Sequence, residues 1–229
     1  MQVAIQVSEL RFSTEDGVLV LEDVSFGVPR DGFVFVVGPP SSGKTLLVRL
    51  ILRELTPSGG QILLVGRNVA RLPPRKVAQL RRRVGYVPQQ PAILTGRTVK
   101  DNLVFKLRAL GFSGEEMEEE LERALELAQL GGMETVPAGE LPPLERARLA
   151  LALALCPGPI VLLADDPFRD LSEAEQDRLV DTLLRVHRAG TALLVTTRDE
   201  NIPRRHGFPQ DMRQDSSWGV VYLRQGVAR

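Results

Sequence analysis

The chain has one cysteine, two histidines and no excess charge of either sign. A lone thiol, Cys156, rules out an internal disulfide and a thiolate metal cluster; a reducing compartment fits it. Lys plus Arg number 29 and Asp plus Glu 29, so bulk charge gives no electrostatic basis for binding nucleic acid, and no nucleic-acid partner is expected. Met1-Gln2-Val3-Ala4 shows no basic stretch followed by an apolar one, so no signal peptide is expected. Long hydrophobic runs are missing too. The longest, Leu149 to Cys156, is far too short to cross a bilayer and stops at Pro157. Any membrane association is therefore expected to come through a partner. Internal repeats and low-complexity linkers are absent as well. The 229 residues suffice for one or two domains with a sizeable core.

What the chain does have is Gly38-Pro39-Pro40-Ser41-Ser42-Gly43-Lys44-Thr45, a G-x-x-x-x-G-K-T phosphate-binding loop. The apolar run Phe33 to Val37 before it reads as a buried strand, and Leu46 to Leu52 after it reads as a helix with no breaker. Strand, loop and helix in that order let successive backbone N–H groups and the helix N-terminus face an anion. Lys44 is placed to reach the outer phosphates and the Thr45 hydroxyl to ligate Mg²⁺. Pro40 and Ser41 are unusual in such a loop. If Ser41 must take a positive φ, it carries a modest strain.

Around this loop the pattern alternates. Val3 to Phe12 and Val18 to Val28 read as strands joined by a polar turn, and Gln61 to Val65 and Val84 to Val87 as two more. Arg71 to Arg83 is basic and helical after Pro73-Pro74, either a solvated face or a phosphate patch. Thr98 to Leu110, Ser113 to Leu130 and Leu144 to Cys156 read as helices, the second with a Ser113–Glu116 capping box and the third apolar enough to be buried. Ile160 to Ala164, ending in Asp165-Asp166, and Thr191 to Thr197 restore strand character, and Gly219 to Leu223 is the expected last strand. Ser172 and Glu175 cap the helix between them, which runs to about His187. An α/β fold follows, with a mostly parallel sheet covered on both faces and an inserted helical block.

The order of these motifs resembles the ATP-binding cassette (ABC) ATPases over essentially the whole chain. Val84-Gly85-Tyr86-Val87-Pro88-Gln89, Thr98-Val99-Lys100-Asp101-Asn102 and Leu163-Ala164-Asp165-Asp166-Pro167 make it most similar to the FtsE group within that family. The resemblance implies a single P-loop NTPase domain. Residues 1–92 and 157–229 form its RecA-like core with an antiparallel β edge, and residues 93–156 its α-helical subdomain. It implies an ATP and Mg²⁺ site made by Gly38, Pro39, Pro40, Ser41, Ser42, Gly43, Lys44, Thr45 and Leu46, with Gln89 near the metal and attacking water. Asp165 joins Thr45 and Gln89 as a metal ligand, Asp166 takes the position of the catalytic base, and Arg198 that of the switch histidine. Phe12 falls where an aromatic ring stacks on adenine, and is equally readable as a core phenylalanine. The partners implied are an FtsX-like integral membrane subunit and a second ATPase subunit, identical or an intact paralogue. The location implied is the cytoplasmic face of the cell membrane.

Four positions depart from the family pattern. Asp166 replaces glutamate and is one methylene shorter, which lessens its reach to a water. Arg198 replaces histidine and is a donor only. His187, expected on an exposed helix, and His206, in an Arg-rich loop, do not obviously substitute for it. Leu141-Pro142-Pro143-Leu144-Glu145 stands for the signature L-S-G-G-E/Q. Its prolines supply neither hydroxyl nor N–H, and Leu144 stands where a glycine lets phosphate approach. Ser172 replaces a dimer-contact aspartate. The expectation is a nucleotide-binding subunit with weak or lost hydrolysis. The alternatives are a working transporter ATPase and a soluble ABC protein without a permease.

Overall fold

A computed structural model describes residues 3–210, 218–224 and 227–228. Strands β1 (Val3–Ser13) and β2 (Leu19–Pro29) form an antiparallel hairpin, and β3 (Phe33–Val37) leads into helix α1 (Lys44–Ile51). Strands β4 (Gly59–Leu64) and β5 (Arg67–Asn68) follow, then α2 (Pro74–Arg81) and β6 (Val84–Val87). The helical block is α3 (Val99–Leu110), α4 (Gly114–Leu127) and α5 (Pro143–Leu155). Next come β7 (Val161–Asp165), α6 (Glu173–Arg188), β8 (Ala192–Thr197), α7 (Asn201–Arg205), β9 (Trp218–Arg224) and β10 (Val227–Ala228).

Among the described residues the strands make one sheet in the order β5-β4-β1-β2-β10-β9-β3-β8-β7-β6. The run β9-β3-β8-β7-β6 is parallel, and β2-β1-β4-β5 is antiparallel. Every residue of β3, β7 and β8 is buried. That is why these strands read as unbroken apolar runs rather than alternating ones. Their two faces serve different cores. Val34, Val36, Leu163 and Leu194 pack with Leu47, Val48, Leu50 and Ile51 of α1. Phe33, Phe35, Leu162, Leu193 and Val195 pack on the other face with residues of α5 and α6. A third cluster, around Leu103, Leu107, Leu121 and Leu149, holds the helical block together.

Helix α5 belongs to two of these clusters. Leu149, Ala152 and Cys156 face the helical block, while Leu144, Leu151 and Leu155 face the sheet. Burial pushes the Cys156 thiol up to about 12, so it is not a nucleophile at neutral pH.

Two expectations need correction. Ser113 makes no capping hydrogen bond; Gly114 enters α4 with φ +58, a turn outside the usual N-cap geometry. The box in this region is at α3, where the Asp101 N–H donates to Thr98 Oγ1 (3.1 Å) and the Thr98 N–H to Asp101 Oδ2 (3.4 Å). His187 is half-buried rather than exposed, with its ring 5.9 Å from Phe33 and 5.1 Å from Trp218 between centroids. Burial lowers its pKa, which keeps it neutral against those rings. The basic side chains of α2 are exposed, as a solvated face requires, and Arg81 also donates to the carbonyls of Leu52 (2.8 Å) and Arg53 (3.0 Å) after α1.

Candidate functional site

The site residues follow the carboxyl ends of adjacent parallel strands. Val37 of β3 pairs with Thr197 of β8, Thr196 with Asp165 of β7, and Ala164 with Val87 of β6. The loop 38–43, Arg198, Asp166 and Gln89 therefore leave the same edge side by side, where open α/β sheets hold ligands. A cavity of about 420 Å³ opens there. Its lining includes Ser41, Lys44, Thr45, Gln89, Asp166 and Arg198, together with Arg169.

The loop is built by its glycines. Gly43 takes φ +90 and opens α1. A Cβ on Gly38 would lie 2.5 Å from the Leu223 carbonyl oxygen and 2.5 Å from Ser42 Oγ, so only glycine fits. The Gly38 N–H donates to the Thr197 carbonyl (3.2 Å), which extends the β3–β8 ladder by one bond into the loop. Ser41 does take a positive φ, +62. Relief of this strain, less the extra chain entropy of glycine, makes Ser41→Gly stabilising by about 0.5–1 kcal/mol. A rise of about 1–3 °C in melting temperature is expected in a thermal unfolding experiment.

Lys44 is folded across its own loop. Its Nζ donates to the carbonyls of Gly38 (2.7 Å) and Pro39 (2.8 Å) and lies 3.4 Å from Ser42 Oγ. Burial lowers its pKa, opposed by Asp166 and Asp165. Thr45 Oγ1 accepts from Gln89 Nε2 at 3.1 Å, which joins the first turn of α1 to the loop after β6. That loop is tied to α3 by buried Asn102. Its amide accepts from Leu94 N (2.8 Å) and donates to the carbonyls of Leu94 (3.0 Å) and Thr98 (2.9 Å).

Asp165 is fully buried. Thr196 Oγ1 donates to Asp165 Oδ1 at 2.7 Å, while Asp165 Oδ2 has no hydrogen-bond partner among the described residues. An orphaned buried carboxylate oxygen is costly unless something fills its place. One carboxylate, one hydroxyl and one amide near the phosphate loop suit a hard cation that keeps several waters, so the residues present fit Mg²⁺. No cluster of three or more His, Cys, Asp or Glu side chains is placed to hold a metal among the described residues.

Asp166 adopts φ +50, a turn that Asp tolerates better than most residues. Its N–H donates to Thr196 Oγ1 (3.0 Å) and to the Thr196 carbonyl (3.2 Å). Burial raises its pKa, against the pull of Arg198 and Lys44. Phe12 is only partly buried, packs on the core beneath α1, and does not line the cavity; Val20 does. The sequence also gave no sign of Thr196, which hydrogen-bonds both to the Asp165 carboxylate and to the Asp166 backbone, or of Arg169. Their places depend on which strand ends are neighbours.

At the start of α5, Pro142 and Pro143 are exposed and leave Leu144 and Glu145 as the first N–H groups. Leu144 does not stand in a ligand's path. It is 1% exposed and packed in the core beneath the sheet. The absent donors at this helix start are those of the prolines.

Residues 21–169, well over half of the chain, match the ABC transporter family. The chain belongs to that family. This ABC chain is 34% identical over 182 residues to the cell division ATP-binding protein FtsE of Mycobacterium tuberculosis, covering 80% of the chain and 79% of the relative. It is 33% identical over 189 residues to the methionine import ATP-binding protein MetN of Thermobifida fusca, covering 82% of the chain but 59% of that longer relative. The structure of cbiO1 from Clostridium perfringens, part of the ABC transporter complex cbiONQ, superposes with a TM-score of 0.89 at 20% identity, covering 100% of this chain and 88% of that one. A dimeric ATP-binding cassette bound to ADP and Pi gives a TM-score of 0.79 at 22% identity, covering 98% of this chain and 96% of that one. At those identities the likeness establishes the ABC ATPase fold.

Proposed function

We propose that this ABC chain is the ATP-binding subunit of a membrane complex, that it binds Mg-ATP on residues 38–45, and that it hydrolyses it weakly or not at all. The observation that carries this reading is an intact phosphate loop facing a cavity, in a chain whose signature helix begins with two prolines. Thr45, Gln89 and Asp165 would hold Mg²⁺, which neutralises charge on the outer phosphate oxygens when bound. Lys44 exchanges its loop carbonyls for phosphate oxygens. Asp166 is one methylene shorter than the glutamate of the family pattern, and its backbone is held by two bonds to Thr196, which opposes a forward shift that would restore the lost reach.

The relatives support the assembly. FtsE and MetN are named for cell division and methionine import, and cbiO1 for a transporter complex. On this reading the chain docks an FtsX-like membrane subunit at the cytoplasmic face and pairs with a second ATPase, identical or intact. Residues 93–156 serve as the helical subdomain carried on the core. No helix among the described residues is long and apolar enough to cross a membrane. One observation favours a working ATPase instead: burial raises the Asp166 pKa, which makes its carboxylate a better base.

Steady-state turnover at saturating Mg-ATP decides between the two. Wild type is expected to be slow, and Asp166→Glu to gain less than about tenfold, because groups acting in one site are not additive. A large rise from that single change would make the base the only defect and overturn the reading. Co-purification with a membrane protein separates both from an ABC protein without a permease.

A further inference from the structure

We infer that Arg169 and Arg198 together clamp the terminal phosphate of a nucleoside triphosphate held on the Lys44 loop, so that one copy of the chain distinguishes triphosphate from diphosphate without residues from a second copy. This rests on the nucleotide-site reading above and adds to it a residue, Arg169, and a consequence for specificity.

Both side chains line the cavity beside Lys44 and Thr45. Neither makes a hydrogen bond or ion pair with any described residue, and both are exposed. Arg148, by contrast, binds Thr182 and Gln129, and Arg205 binds Asp177; what sets Arg169 and Arg198 apart from other unpaired surface arginines is that they line this cavity. In the cavity wall three cations, Lys44, Arg169 and Arg198, face one lining carboxylate, Asp166. The arginine charges reach that carboxylate, since both draw its pKa down against burial. A cleft with this imbalance favours a polyanion.

The backbones under the two arginines are fixed. Arg198 directly follows Thr197, whose carbonyl accepts from Gly38 N at 3.2 Å. Arg169 sits in a turn closed by Arg169 N to Asp166 O (3.3 Å) and Leu171 N to Phe168 O (3.2 Å). Only the long side chains remain free to close, and a guanidinium fork suits phosphate oxygens.

Strand order sets how far the arginines stand from the loop. The loop follows β3, Arg198 follows β8, and Arg169 follows β7. Neighbouring strands lie about 4.8 Å apart, so the arginines stand one and two strand places away from the loop. On the clamp reading, a diphosphate seated on the loop N–H groups would end short of them and a third phosphate would extend toward them. In this chain the start of α5 carries prolines where a second copy's donors would be needed. The arginines supply that recognition from within the same copy.

The test is competition of unlabelled ATP and ADP against a fluorescent ATP analogue on the full chain, at fixed Mg²⁺ and salt, with mass followed by light scattering. ATP is expected to bind about tenfold or more tighter than ADP while the protein stays a single copy. In the Arg169→Ala/Arg198→Ala double variant the ratio should fall to within about threefold, with ADP affinity changing less than about threefold. The Arg169→Lys/Arg198→Lys pair should keep part of the preference, since charge remains without the fork. Equal wild-type affinities, an unchanged ratio in the double alanine variant, or a preference seen only on dimerisation would each overturn the clamp. If Lys44→Ala abolishes binding while the arginine variants keep the ratio, the clamp alone fails. If Lys44→Ala leaves ATP binding unchanged, the nucleotide site fails and the clamp with it.

Discussion

Lys44→Ala is expected to weaken Mg-ATP binding by about 100-fold or more. The ammonium already lies at the loop, bonded to the carbonyls of Gly38 and Pro39 at 2.7 and 2.8 Å. On phosphate binding it trades two neutral acceptors for charged ones. Each charge-assisted hydrogen bond contributes about 1.5–3 kcal/mol, and about 1.4 kcal/mol is a factor of ten. Burial lowers the pKa of Lys44, so its charge is under-compensated in the free protein, and an arriving anion relieves that. Titration with a fluorescent ATP analogue at fixed salt reads the effect, and thermal unfolding confirms that the variant is folded. Equal affinity in mutant and wild type would remove the site from residues 38–45.

Leu144→Gly, which restores the family's small residue in the signature, is expected to destabilise the fold by about 3–5 kcal/mol. Leu144 is 1% exposed, in the same core as Phe168, Leu171 and Leu179. Its removal leaves a cavity under the sheet, and glycine adds backbone entropy near the start of α5. A fall of about 10 °C in melting temperature follows for a domain of this size. Pro143, one residue earlier, is exposed, so Pro143→Gly should cost only about 1 kcal/mol or less while returning an N–H to the helix start. A Leu144→Gly variant that melts with wild type would show that this side chain is not part of the core. Repair of the signature is therefore not a local matter: one position offers donors outward, while the next anchors the helix inward.

The loop was legible because contiguous residues create it. A buried strand, a glycine at φ +90 and an uninterrupted helix are each local; for Ser41 the sequence poses the question of a positive φ, and the structure answers it at +62. The capping rule was equally local but insufficient. Ser113 with Glu116 fits it as well as Thr98 with Asp101 does, yet the positive φ of Gly114 excludes the first pair. The sequence leaves Phe12 open between an adenine-stacking ring and a core residue, and reads Leu144 by its place in a motif; packing decides both positions. The Phe12 ring rests on the core, and the Leu144 side chain turns inward because α5 is buried against both the sheet and the helical block.

By itself the sequence determined the phosphate loop, the parallel strands as apolar runs, the two acidic residues at the end of β7, and the missing donors at Pro142 and Pro143. Each depends on residue chemistry within a few positions. Only the tertiary structure decided which strand ends stand together. The order β3-β8-β7-β6 brings Lys44, Arg198, Arg169 and Gln89 to one cavity from four separate stretches of chain. It also sets Thr196 between Asp165 and Asp166. Strand pairing is non-local, and buried parallel strands are apolar on both faces, so their side chains carry little record of their neighbours. The arrangement of charge at the sheet edge is thus a product of sheet order.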